Sequence, residues 1–145
     1  MQFKKFKEFF FKLIVNKENN YHPLVWINGK PKINKNVYIG GFSEVNAKGA
    51  KIEIGDNCDI SSFVSINVSD SHLKTVRLKK NISKKNIFIG NNVFIGSHSV
   101  ILGGTKIGNY SVIGAGTVLR GEKIPPYSLV IGNPAVIKIG YYKKK

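Results

Sequence analysis

Histidine is the side chain in this sequence best suited to acid–base chemistry near neutral pH, and the chain has three. His72 follows Asp70 in a polar segment, and His98 directly follows Ser97. An imidazole accepts and returns a proton at neutral pH because its unperturbed pKa is about 6.5. Asp70 could orient the ring of His72 as carboxylates do in catalytic triads, or it could be an ordinary turn former. We prefer His72 as the proton-accepting residue because its polar segment has the composition of a surface loop, where functional residues often lie, and His98 is its competitor.

Other chemistries find less support in the residue types and their spacing. The carboxylates are few and scattered, so no pair suited to glycoside hydrolysis is evident. His72 and His98 have no third histidine beside them to complete a zinc site, and no metal is expected. His22 precedes a proline and is assigned no chemistry. There is no nucleotide-binding or nucleic-acid-binding signature, so no nucleic-acid partner is expected.

Charge and cysteine content set wider limits. The 145 residues carry a formal net charge of +15, almost all of it from lysine. Such a surface either is simply solvated or favours polyanionic partners. Cys58 is the only cysteine, which excludes an internal disulfide and favours a reducing, cytoplasmic location. We find no signal-peptide pattern and no apolar run long enough to span a bilayer.

A six-residue period organises the chain. One large aliphatic residue recurs, usually followed by glycine and, four positions after the aliphatic residue, by a small residue. This is the hexapeptide repeat of a parallel β-helix, in which three short strands complete each turn and the aliphatic residues point inward. Cys58 occupies a small-residue position and is interpreted as core packing. The predicted inward residues form four coils: Ile33, Ile39 and Val45; Ile54, Ile60 and Ile66; Ile89, Ile95 and Ile101; and Ile107, Ile113 and Leu119.

Three segments fall outside this period. Residues 1–32 comprise an amphipathic helix, Gln2 to Val15, and an irregular lead-in in which Trp26 covers the first coil. The helix could lie on an anionic membrane, but we favour packing under the prism or against a neighbouring subunit. Residues 68–86 interrupt the β-helix of residues 33–135 as a projecting loop with five lysines. The strand pattern is expected to stop at Pro125 and Pro126, and residues 136–145 form a basic tail.

Three runs of residues resemble the hexapeptide-repeat acyltransferases, and most closely their branch of maltose, galactoside and surface-polysaccharide O-acetyltransferases. The resemblance implies an all-β, left-handed parallel β-helix that assembles as a homotrimer with active sites between subunits. It also implies acetyl-CoA as co-substrate and a saccharide acceptor. If residues 2–15 lie on a membrane, the alternative to their packing on the protein, the cytoplasmic location would include peripheral contact with the inner face of the membrane. The runs are Ile89-Gly90-Asn91-Asn92-Val93-Phe94-Ile95-Gly96-Ser97-His98, Ile113-Gly114-Ala115-Gly116-Thr117-Val118 and Gly132-Asn133-Pro134-Ala135.

The resemblance also suggests roles for single residues. His72 would be the general base, and Ser97 would stabilise the developing oxyanion. Asp70 and His98 would lie on the acceptor side. The positions that would contact the coenzyme are Gly96, Ser97, Gly114 and Ala115 along the pantetheine arm, with Arg120 and Lys138 near the phosphates. Family members usually carry a basic residue directly after Asn-Pro-Ala, where this chain has Val136.

The sequence and the resemblance together predict an acetyl-CoA-dependent O-acetyltransferase that acts on a hydroxyl of a saccharide in surface-polysaccharide synthesis. Two alternatives stay open. One is an N-acyltransferase acting on an amino sugar, which would use the same base. The other is a non-catalytic β-helical scaffold that binds a glycan or a membrane through its lysines and needs neither His72 nor Ser97.

Overall fold

The computed structural model describes residues 2–15, 21 and 24–143. Within these residues, three parallel sheets form the faces of a prism, which we call faces A, B and C. The chain visits them in the repeating order B, C, A, so each coil has a B–C, a C–A and an A–B corner. The predicted parallel β-helix of hexapeptide repeats with a short N-terminal α-helix is confirmed.

The strands are two or three residues long, as expected when a coil must turn a corner every six residues. Face A contains β1 (Trp26–Asn28), β4 (Glu44–Asn46), β7 (Ser65–Asn67), β12 (Val100–Leu102) and β15 (Val118–Leu119). Face B contains β2 (Lys32–Ile33), β5 (Ile52–Ile54), β10 (Ile87–Ile89), β13 (Lys106–Ile107) and β16 (Lys123–Ile124). Face C contains β3 (Tyr38–Ile39), β6 (Asp59–Ile60), β11 (Phe94–Ile95), β14 (Val112–Ile113), β17 (Leu129–Ile131) and the antiparallel β18 (Val136–Lys138).

The predicted inward residues stack in register, one column for each face. On face B, for example, Ile54 pairs with Ile89 and Ile89 with Ile107. All the predicted inward residues except Ile33 are buried, and Ile33 is half-buried in the first coil. Each coil therefore buries its aliphatic layer on the next, and the prism interior has no room for a ligand.

Small residues at the corners satisfy backbone carbonyls. The Ser99 hydroxyl donates to the carbonyl of Gly114 at 3.0 Å, and the Thr105 hydroxyl donates to that of Leu102 at 2.7 Å. Both side chains are fully buried, so these bonds remove the cost of an unpaired buried polar group. A larger side chain would not fit, which explains the small residue in each repeat.

The glycines that follow the aliphatic residues are required by close approach of neighbouring coils. A Cβ on Gly96 would lie 2.5 Å from the backbone nitrogen of Ala115. The positive φ values are found at other positions, including Phe63 and His98 at the C–A corner, with φ of 60° each. Lack of space for a side chain, rather than a positive φ, therefore explains the glycine at position 96.

The β-helix extends further at both ends than predicted. Trp26 lies in β1 and pairs with Glu44, and its side chain is 65% exposed, so it does not cover the first coil. The expected stop at the prolines is wrong, because β16 and β17 continue faces B and C on either side of them. Pro125 and Pro126 occupy the B–C corner between these strands, outside both strand ladders. Part of the predicted basic tail forms β18, which pairs with β17.

The remaining elements lie outside the prism. The interruption after face A forms a small hairpin of β8 (Ser69–Asp70) and β9 (Ser83–Lys84), with the one-turn helix α2 (His72–Thr75) between them. Helix α1 (Gln2–Val15) has the predicted bounds, and residues 2–12 are all exposed in the single chain. Phe10 is the least exposed phenylalanine of α1 and shares a cavity with Tyr38, Phe42 and Phe63. No helix in the described ranges is long and apolar enough to cross a bilayer.

Candidate active site

His72 and Asp70 form a hydrogen-bonded pair at the base of the hairpin. Asp70 ends β8 and His72 begins α2, so two residues of sharply turning chain bring the side chains together. The Asp70 Oδ1 atom lies 2.5 Å from His72 Nδ1, and it also accepts the backbone N–H of His72 at 3.0 Å. Asp70 is thus both the turn former and the orienting carboxylate that the sequence left as alternatives.

This contact determines which nitrogen of His72 is available. The backbone N–H and the ring of His72, in that order, lower the pKa of the Asp70 carboxyl below its ordinary value of 3.8. An ionised carboxylate only accepts hydrogen bonds, so the neutral ring must carry its proton on Nδ1. The lone pair of Nε2 is then free to take a proton from an acceptor. The arrangement would allow His72 to accept a proton at Nε2.

The pair lines an open cavity of about 510 Å³ at the A–B corner. In the single chain, 67% of the His72 side chain and 44% of the Asp70 side chain are exposed. In the single chain, therefore, the Asp70–His72 pair lacks the enclosure from water that the predicted acyl transfer would require. The cavity is lined by Val68, Asp70, His72, Ser83, Lys85, Leu102, Gly103 and Arg120.

Ser97 and His98 lie at a different corner, between faces C and A. The His98 ring stacks on Phe63 at 4.9 Å between centroids, and Phe63 stacks on Phe42 at 5.0 Å. The carbonyl of Ser97 accepts the backbone N–H of Gly116 at 2.9 Å, which fixes the backbone of this corner. His98 is therefore held in an aromatic column, and no carboxylate contact like that of His72 is found for it among the described residues.

The C–A corner is bare where the resemblance places the pantetheine arm. Ala115 and Gly116 are exposed, and a Cβ added to Gly116 would meet no atom within 4 Å. Gly96, by contrast, is buried against the backbone of Ala115, and a Cβ on Gly114 would lie 2.9 Å from the Ile131 side chain. An extended thioester arm could lie against the exposed backbone of Ala115 and Gly116 without displacing any side chain, but the neighbouring coil covers Gly96 and Gly114.

The structure separates the predicted site residues into two groups. The loop with His72 leaves the A–B corner, whereas Ser97 and Ala115 occupy the C–A corner at the other edge of face A. A three-residue strand is about 10 Å long, so within one chain His72 does not reach the C–A corner. Arg120 lies with His72, and Lys138 lies in β18 on face C, with its Nζ 5.9 Å from the ring centroid of Tyr141.

Two further observations concern residues that the sequence singled out. Cys58 is buried, donates to the carbonyl of Gly90 at 3.1 Å, and has a thiol pKa raised by burial, as a packing residue should. Within the described ranges no group of three or more His, Cys, Asp or Glu side chains could hold a metal ion. His22 lies outside the described residues.

Sequence reasoning missed Ser83 and Lys85 as members of the His72 cavity. Lys85 was one of five lysines in a segment with no periodic pattern. It reaches the cavity because β9 returns beside β8, and its backbone N–H bonds to the carbonyl of Val68 at 3.0 Å. No local sequence signal identifies this pairing.

Comparison with known proteins agrees with the repeat architecture. Residues 86–121 match the family described as bacterial transferase hexapeptide (six repeats). The chain therefore carries hexapeptide repeats over these residues. Over 106 residues it is 39% identical to the galactoside O-acetyltransferase of Escherichia coli K12, an alignment that covers 68% of the chain and 51% of the relative. It spans smaller shares, 25% to 31%, of other curated relatives.

Solved structures give the same result. A galactoside acetyltransferase in complex with coenzyme A is 26% identical, with a TM-score of 0.56 over 93% of this chain and 78% of that one. The polysialic acid O-acetyltransferase OatWY is 28% identical, with a TM-score of 0.67 over 84% of this chain and 64% of that one. The predicted resemblance to the sugar O-acetyltransferases of this superfamily is confirmed.

Proposed function

We propose that this hexapeptide-repeat protein is an acetyl-CoA-dependent O-acetyltransferase that acts on a sugar hydroxyl. The observation that carries the proposal is the Asp70–His72 pair, in which a carboxylate leaves Nε2 of the base free. The similarity to galactoside and polysialic acid O-acetyltransferases supports the reaction class, and the complex of one relative with coenzyme A supports the donor.

The chemistry follows from the orientation of His72. Nε2 takes the proton of the sugar hydroxyl while the oxygen forms a bond to the thioester carbonyl carbon. Negative charge then develops on the carbonyl oxygen, and the N–H or hydroxyl of Ser97 is the donor that we assign to it. When the C–S bond breaks, the imidazolium returns its proton to the leaving thiolate. The products are an acetylated sugar and free coenzyme A.

We place each site between two subunits of a homotrimer. Face A separates the base from the bare C–A corner in one chain. If face A of each prism faces a threefold axis, the A–B corner of one subunit meets the C–A corner of the next. Such head-to-tail contacts close into a ring. His72 of one chain would then meet Ser97 and Ala115 of its neighbour, and the neighbour would enclose the exposed base.

The outward side chains of face A suit this arrangement better than those of face B. Face A presents one carboxylate, Glu44, and then uncharged, half-buried side chains at the matching positions of the next three coils, Ser65, Val100 and Val118. Face B presents lysines at the matching positions in three of its strands, and these would repel one another around an axis. These lysines are Lys32, Lys106 and Lys123.

The biological setting is the finer part of the proposal. We infer a saccharide of surface-polysaccharide synthesis as acceptor. The relatives acetylate both a neutral sugar, galactoside, and an acidic polymer, polysialic acid, according to their names. A reducing cytoplasmic location fits the single thiol of Cys58.

The test is release of free thiol from acetyl-CoA by the purified protein, measured with and without saccharide acceptors. We expect acceptor-dependent release that His72→Ala abolishes almost entirely. Acetyl-CoA binding without transfer to any hydroxyl but with transfer to an amino sugar would favour the N-acyltransferase. A protein that neither binds nor cleaves acetyl-CoA would be the non-catalytic scaffold.

A further inference from the structure

Two cations flank the base in the His72 cavity. Lys85 lines the cavity from the hairpin, directly after β9, and Arg120 lines it from the prism, directly after β15. The cavity has one lining carboxylate, Asp70, and that group is bonded to His72. A volume of about 510 Å³ is within the range of small-molecule sites.

Both cations are positioned by contacts other than ion pairs. The stem of Lys85 crosses Gly103 and Gly104, where a Cβ on Gly104 would lie 3.4 Å from Lys85 Cδ. Arg120 Nη1 donates to Asn133 Oδ1 at 2.9 Å. The bare glycines thus leave room for the lysine stem, and an amide oxygen holds the guanidinium.

Neither cation forms an ion pair with a carboxylate in the described part of the chain, although the charge of Lys85 helps to lower the pKa of the Asp70 carboxyl. The ion pair found there joins His72 and Asp70. Glu122, the acid nearest in sequence to Arg120, accepts the backbone N–H of Arg120 rather than its guanidinium. The two positive charges beside the base are therefore available to a ligand.

We propose that the acceptor is an acidic saccharide, whose carboxylate or phosphate is bound by Lys85 and Arg120 while its hydroxyl meets Nε2 of His72. This inference rests on the proposed function and adds the charge class of its acceptor. The same cations could bind a phosphate of coenzyme A, the role first expected for Arg120. The acceptor is better supported because both cations line the same cavity as the base. The thioester must also reach that base, and the phosphates of coenzyme A lie at the opposite end of the extended pantetheine arm.

The experiment compares a neutral acceptor with its acidic counterpart, a galactoside and the matching galacturonoside, using the full chain. We expect wild-type kcat/KM to favour the galacturonoside by at least about tenfold, which is the lower range for one hydrogen bond to a charged group. Lys85→Met and Arg120→Met should each reduce that preference by about tenfold and leave the KM for acetyl-CoA unchanged. Lys85→Arg should restore most of it.

Lys84→Met is the matched control, because Lys84 neighbours Lys85 in sequence but its side chain lies beside Gly49, outside the cavity lining. It should keep the wild-type preference. Equal use of the two acceptors by the wild type would overturn the inference alone, and so would a raised KM for acetyl-CoA in the Met variants with the preference unchanged. No thiol release with either acceptor would instead refute the proposed function, and the inference with it.

Discussion

Replacing Asp70 by Asn tests the orientation of the base most sharply. The substitution keeps the size of the side chain but removes the charge that fixes the proton on Nδ1 of His72. A hydrogen bond to a charged group contributes about 1.5–3 kcal/mol. Because both side chains are exposed, we take the lower half of that range. At about 1.4 kcal/mol for each tenfold change in rate, kcat should fall about 10- to 50-fold.

The assay is thiol release at saturating acetyl-CoA, with a double-mutant cycle on His72. Asp70→Asn should cost nothing further once His72→Ala is present, because Asp70 acts through the ring. Asp56→Asn is the control, since Asp56 accepts a backbone N–H from Lys35 at 3.2 Å and has no histidine partner in the described structure. An Asp70→Asn variant within twofold of wild type, or equal losses in both His72 backgrounds, would refute the orienting role.

Three further predictions follow from the same geometry. His72→Ala should lower kcat by about 10²–10⁴-fold with CoA binding little changed. His98→Ala should lower kcat less and should weaken CoA binding instead. Steady-state kinetics that show the reverse ranking would make His98 the base. Refolding His72→Ala together with Ala115→Trp should give mixed trimers that recover part of the activity, and verified mixed trimers without recovery would place base and cofactor face on one chain. Deletion of residues 2–15 should lower the melting temperature or disrupt the trimer. If instead the intact protein floats with anionic vesicles, salt releases it and the deletion abolishes the flotation, these residues bind membranes.

The core could be predicted from the sequence because each inward position obeys one strict rule. Ile95 must fill the same column as Ile60 and Ile113, so period and burial specify it together. The ends of the β-helix follow weaker rules. The five-residue step from Leu119 to Ile124 breaks the period, and the prolines suggest a stop, yet they lie at a corner where the ladder needs no N–H.

The candidate site divides in the same way. Asp70 and His72 are two residues apart, so their contact is local and could be anticipated as one of two alternatives. The position of Lys85 depends on hairpin pairing across a long interruption, and that of Arg120 on which corner follows β15. Such long-range placement has no local signature, which is why sequence reasoning missed Lys85. The assignment of Arg120 to the coenzyme phosphates stays a prediction.

Calorimetric titration of acetyl-CoA tests the central claim most directly, because the reaction requires a donor site at the C–A corner. Wild-type protein and His72→Ala should both bind acetyl-CoA, and Ala115→Trp should not, since an indole would cover the exposed backbone of Ala115 and Gly116. Absence of binding to the wild type at millimolar concentration, or equal binding by Ala115→Trp, would contradict the account.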